Sequence, residues 1–120
     1  MTKLLLTLLL IILPISGIWS QEVVVSWDAN KETDLDGYKI YYGVESGNYT
    51  NIVNVGNVTT KELSLLYNKT FYFVLTAYDI NGNESENSNE VSITMPDLDK
   101  IPPNPPINIK IEIKIGENNG

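Results

Sequence analysis

Apolar and polar residues alternate in short runs through most of the chain. Val23, Val25 and Trp27 recur at every second position, with Val24 and Ser26 between them. Tyr38, Ile40 and Tyr42 do the same, and so do Phe71, Phe73, Leu75 and Ala77. A period of two places successive side chains on opposite faces of a strand, so each run predicts a strand with one buried face. Strands are predicted near residues 22–27, 37–43, 49–55, 60–65, 70–78 and 89–94. Between them, Gly47-Asn48, Gly56-Asn57 and Asn81-Gly82 are residues that tolerate positive φ in turns. No helical period appears beyond the first twenty residues. Val25, Trp27, Tyr38, Ile40, Phe71, Phe73 and Leu75 form the predicted core.

The two ends have their own patterns. Met1 to Ser20 carries Lys3, an apolar run from Leu4 to Leu13, then Pro14 and small residues. This is the order of a secretory signal peptide, and the run is too short to span a bilayer, which takes about twenty residues. Residues 1–20 are therefore assigned as a leader, cleaved after Ser20 or alternatively after Gly17. The expectation is a secreted or periplasmic protein with no stable membrane insertion after cleavage. With no Cys after the run, there is no lipid anchor.

Residues 97–106 contain four Pro and read as a stiff, extended linker. From Ile107 to Ile115 isoleucine alternates with Asn108, Lys110, Glu112 and Lys114. The pattern is that of a strand with one all-isoleucine face, within a final unit of residues 107–120.

The runs across residues 21–96 carry more than a period. Ser26-Trp27-Asp28, Asp34-Leu35-Asp36-Gly37-Tyr38, Tyr41-Tyr42-Gly43, Ala77-Tyr78-Asp79 and Asn81-Gly82-Asn83-Glu84-Ser85 together resemble the fibronectin type III family, in its bacterial or phage secreted form. The resemblance implies an all-β, immunoglobulin-like antiparallel sandwich. Against that pattern the first strand is missing, because Glu22 nearly follows the cleavage site. One sheet edge is then open, and open edges invite pairing. A family Tyr at the turn before residues 70–78 falls on Phe71 here, or on Tyr72 with a one-residue slip.

Composition narrows the chemistry. The 120 residues include no His and no Cys, and all eight basic residues are Lys. No imidazole base, thiol nucleophile or His/Cys zinc site can be built. A net charge of -7 opposes nucleic-acid binding, which needs clustered cations. Asp28, Glu32, Asp34 and Asp36 lack the terminal bidentate acid of a calcium loop and read as a solvated connection. Asp79 to Glu84 reads as a turn. Glu84 and Glu86 are exposed loop acids without a pocket, unlike a glycosidase pair. No catalytic residue, cofactor or metal is assigned. Four Asn-x-Ser/Thr sequons, at Asn48, Asn57, Asn68 and Asn83, carry no weight in a chain this rich in Asn.

The remaining candidate is a surface. With Tyr38, Ile40 and Tyr42 inward, Tyr41 faces out, and with Phe71, Phe73 and Leu75 inward, Tyr72, Val74 and Tyr78 face out. In the family these strands are neighbours. Tyr41, Tyr72, Val74 and Tyr78 are therefore the candidate surface for a protein or a sugar ring, against the plainer reading of cross-strand pairing. The expected function is a secreted, non-catalytic interaction module at a cell surface or in an assembly. The alternatives are a carbohydrate-binding accessory module or a fragment of a larger extracellular enzyme or adhesin. Ile107–Ile115 is expected to pair with the open edge beside Val23–Trp27, in its own chain or in another.

Overall fold

The structure is a computed structural model, and it describes residues 4–10, 19–114 and 116. Among the described residues there are seven strands: β1 Leu6–Leu10, β2 Ser20–Trp27, β3 Leu35–Gly43, β4 Asn51–Gly56, β5 Thr60–Leu66, β6 Thr70–Asp79 and β7 Val91–Thr94. They form two antiparallel sheets, ordered β1-β2-β5 and β4-β3-β6-β7. The predicted all-β antiparallel sandwich is thus the observed one. The six strands read from the pattern begin and end within two residues of their predicted limits.

Packing explains why the alternation works. In β2, Gln21, Val23, Val25 and Trp27 are buried in strict alternation. In β5 only Leu63 and Leu65 are. Facing them from the other sheet are Tyr38, Ile40, Phe71, Phe73, Leu75 and Ala77, all buried. Trp27 meets Tyr38 edge-on at 5.4 Å between ring centroids, and Tyr42 stacks on Phe73 at 5.3 Å. Pairs of this kind add to the area term that drives the sheets together. The Tyr38 hydroxyl accepts the Asn30 N–H at 2.7 Å, so the one polar atom of that ring ties down the first loop.

Two expectations about the edges are corrected. The first strand is not missing. Leu6–Leu10, inside the residues read as a leader, pairs with β2 from Leu6 opposite Trp27 to Leu10 opposite Val23. Its even positions pack inward: Leu4 and Leu6 are buried, and Leu8 and Leu10 lie against the core. An apolar run on a free edge satisfies both the backbone and the side chains of that edge.

Conversely, no extra C-terminal strand forms among residues 107–114, which are irregular and exposed. The pairing expected for them beside Val23–Trp27 is absent, because β1 already occupies that edge. Ile115, like the alternative cleavage point at Gly17, lies outside the described residues.

The two poles differ in what they gather. At one, the Tyr67 N–H donates to the Trp19 carbonyl, Asn68 N–H to Pro96 and Met95 N–H to Lys69. The starts of β2 and β6 and the end of β7 meet there. At the other, Trp27 N–H donates to Thr59 and Ile80 N–H to Asp34. β1 therefore runs from the Trp27 pole to the Pro96 pole.

Candidate functional site

The outer face of the four-stranded sheet carries the predicted tyrosines. Register places Tyr41 opposite Val74, Gly43 opposite Tyr72 and Gly37 opposite Tyr78. The four residues thus lie on one pair of neighbouring strands. They do not form an open aromatic patch. Val74 is 2% exposed and Thr76 is also buried, which corrects the expectation that Val74 faces solvent. Tyr41, Tyr72 and Tyr78 are half-buried.

The segment after the Asp79–Asn83 turn runs along β6. Ser85 N–H donates to the Ala77 carbonyl at 2.8 Å and Ser88 N–H to Leu75 at 2.9 Å. In return the Ala77 and Leu75 N–H groups donate to the Ser85 and Ser88 hydroxyl oxygens, both at 2.9 Å. The two serine side chains stand in for ladder carbonyls, so β6 is paired here without a regular strand.

From this segment Glu84 reaches back across β6 to β3. Its carboxylate meets Lys39 Nζ at 2.9 Å and accepts the Tyr41 hydroxyl proton at 2.8 Å. Lys39 lies opposite Thr76 and Tyr41 opposite Val74, so the bridge passes over the residues it hides. Tyr78 donates to Asn54 Oδ1 at 2.8 Å, with the Lys39 ammonium 5.6 Å from its ring centroid. That ring lies over Gly37, where a Cβ would come 2.4 Å from Tyr78 Oη. A second cluster surrounds Glu90, which accepts from Ser46 Oγ at 2.6 Å, Gly47 N–H at 3.1 Å and the Tyr49 hydroxyl.

The electrostatics follow from these partners. Burial pushes the Glu84 carboxyl up, but the Lys39 and Tyr41 hydrogen bonds outweigh it and hold it below the usual range. Hydrogen bonding to Glu84 raises Lys39. Burial, then the bond to Glu84, raises Tyr41. Glu90 is lowered by its Ser46 and Tyr49 donors. Asp79 is lowered by Asn83, whose side-chain and backbone N–H groups both donate to it. Asp79 also accepts Asn81 N–H, so its carboxylate organises the turn as the Asn and Gly pattern predicted.

Lys39, Tyr41, Tyr78, Asp79, Glu84 and Glu90 each have a hydrogen-bond or ion-pair partner on this sheet or its loops. Among the described residues, no three acidic side chains converge where they could hold a metal ion. A shallow hollow of about 520 Å³ sits instead at the Trp27 pole, lined by Leu4, Leu5 and residues 28–32.

Lys39, Asn54, Glu84 and Glu90 were not on the candidate surface read from the sequence. Lys39 had a signal, since period two puts it on the face of Tyr41. Glu84 and Glu90 had none, because their partners lie more than forty residues away.

No family model matches the sequence, and no curated protein matches it. Among solved structures, the chain is similar to the FN1–FN3 domains of chicken CNTN1, at 22% identity and a TM-score of 0.60 over 80% of this chain and 31% of that one. It is also similar to a β-1,2-glucanase from Parabacteroides distasonis, at 21% identity and a TM-score of 0.57 over 81% of this chain and 14% of that one. The chain thus spans under a third of either structure's length, and the likeness is one of fold: a fibronectin type III-like sandwich.

Proposed function

We propose that the chain is an exported, non-catalytic module of the fibronectin type III type that acts by binding, at a cell surface or in an extracellular assembly. The observation that carries this reading is the C-terminal segment. Ile107, Ile109, Ile111 and Ile113 are 80–93% exposed, and together they are an apolar stripe that water disfavours and a partner would cover. Export is supported by the order of Lys3, the apolar run and the small residues up to Ser20. A non-catalytic role is supported by Lys39, Tyr41 and Glu84 being bonded to one another and by a composition without His or Cys.

The carbohydrate-binding alternative draws less support. Val74 is covered, and the Tyr41 and Tyr78 hydroxyls are committed to Glu84 and Asn54, which leaves no continuous platform for a sugar ring.

The two readings separate in one experiment on the exported chain. Retention on its binding surface should be lost with Ile109→Asp and Ile113→Asp together and kept with Tyr41→Ala or Tyr72→Ala. Retention on a glycan array that depends on the tyrosines and not on the isoleucines would overturn the reading.

A further inference from the structure

β1 fits its place imperfectly. Its even leucines point into the core, but on the outer side only Thr7 is polar: Leu9, and Leu5 just before the strand, are 57% and 61% exposed. A strand made for a sheet edge carries polar residues on that side. The segment from Ile107 does so, with Asn108, Lys110, Glu112 and Lys114 between its isoleucines.

The two segments superpose in one register. Ile107 takes the place of Leu4, Ile109 of Leu6, Ile111 of Leu8 and Ile113 of Leu10, so isoleucine replaces every inward leucine. Leu6 lies opposite Trp27. The same antiparallel spacing therefore sets Ile109 opposite Trp27, Ile111 opposite Val25, Ile113 opposite Val23 and Lys114 opposite Glu22. The last pair brings unlike charges together on the outer face. A shift of two toward the linker would put Glu112 against Glu22 and oppose like charges. Backbone geometry agrees with the chosen register: Asn108 has φ of +57°, a bend just before Ile109, where the strand would begin as β1 begins at Leu6.

We infer that, once residues 1–20 are removed, Ile109–Ile113 of a second copy of this chain takes the place of Leu6–Leu10 beside β2, linking copies head to tail. The inference rests on the export reading above.

Direction selects a second copy over the same one. A strand in this place runs from the Trp27 pole to the Pro96 pole. The tail leaves its own domain at the Pro96 pole, so entering its own edge directly would make it parallel to β2. An antiparallel fit within one chain needs the Pro-rich linker to travel the whole sandwich and then reverse. The tail of another copy arrives at the correct pole without a reversal. Exit at one pole and acceptance at the other is a heterologous contact, which propagates into rings or filaments.

The test uses the full chain expressed with export, followed by intact mass and light scattering. Loss of residues 1–20 with a mass above the monomer, falling to the monomer in Ile111→Asp/Ile113→Asp, is the expected result. That variant changes only residues exposed in the isolated domain, so the fold should survive it. Register is read by cysteines, since the chain has none of its own. Glu22→Cys with Lys114→Cys should oxidise to a ladder of covalent multimers, and Glu22→Cys with Glu112→Cys should give several-fold less. A processed chain that stays monomeric, or a cysteine pair closing only within single chains, overturns the exchange and leaves export standing. A chain retaining Met1 overturns export and the exchange with it.

Discussion

The two sheets are held in different ways. The three-stranded sheet of β1, β2 and β5 depends on its inner face: Val23, Val25, Trp27, Leu63 and Leu65 are buried, and its outer edge is a leucine-rich strand that leaves Leu9 in water. The four-stranded sheet has the same kind of inner face and a tied outer one. Lys39, Tyr41, Asn54, Tyr78, Glu84 and Glu90 bond across it between residues far apart in sequence. Apolar burial is non-directional and will accept another strand of the right pattern. A network of directed bonds accepts only its own partners. One half of the sandwich is therefore specified by its side-chain geometry, and the other is open to exchange.

The largest expected effect tests whether the halves are separate at all. Trp27 belongs to β2 but packs on Tyr38 of β3, and its indole N–H is buried without an acceptor. Its contribution is therefore packing alone. Trp27→Ala should cost about 3–5 kcal/mol, a large part of the stability of a domain this size. Thermal melting should show one cooperative transition, shifted down or lost. Two transitions, with the four-stranded sheet melting as in the wild type, would mean that the sheets are independent units.

A smaller effect lies within the tied sheet. Gly37 has Tyr78 Oη, Cζ and the Gly56 carbonyl carbon at 2.4, 2.6 and 3.0 Å from where a Cβ would stand. Gly37→Ala must move the Tyr78 ring and with it the bond to Asn54, at a cost of about 1–3 kcal/mol. In a Tyr78→Val background the same substitution should cost much less, because the obstructing ring is gone. Equal costs in both backgrounds would show that backbone, not the ring, sets the constraint.

How much of this was legible in the sequence follows the same division. The inner faces were, because Val23/Val25/Trp27 and Phe71/Phe73/Leu75 announce a buried side through local alternation alone. The first strand was not. A leucine run such as Leu4–Leu10 has the composition of a leader and of a buried strand, and period alone cannot separate them. Nor was the burial of Val74 legible. Glu84 crosses β6 to Lys39 and Tyr41, the residue opposite Val74, and that long-range contact follows no period. Ile107–Ile113 shows the limit from the other side: perfect alternation states that a face should be buried, not what buries it.

The smallest expected effect should separate the sheets by pH. The three carboxylates held below their ordinary values, Asp79, Glu84 and Glu90, all serve the four-stranded sheet. A carboxylate with a lowered folded pKa stabilises the fold above its unfolded value and stops doing so as pH falls through the folded one. The ordinary values are 3.8 for Asp79 and 4.5 for the two glutamates, so the loss begins near pH 4.5 and grows below it. Protonated Glu84 no longer holds the Lys39 ammonium, and protonated Glu90 loses its charge-assisted bonds from Ser46 and Tyr49. Glu84 and Glu90 are exposed, so solvent screening keeps their effect small, and Asp79, though buried, ties only its own turn. Amide hydrogen exchange between pH 6 and pH 3.5, corrected for the intrinsic rate, should quicken first around Lys39, Tyr41 and Thr76, while Val23, Val25 and Leu63 keep their protection. Glu84→Gln should remove much of that difference at Lys39 and Tyr41 and leave Val23 unchanged. If both sheets lose protection together at the same pH, the outer network does not stabilise its own sheet separately, and the contrast between the halves fails.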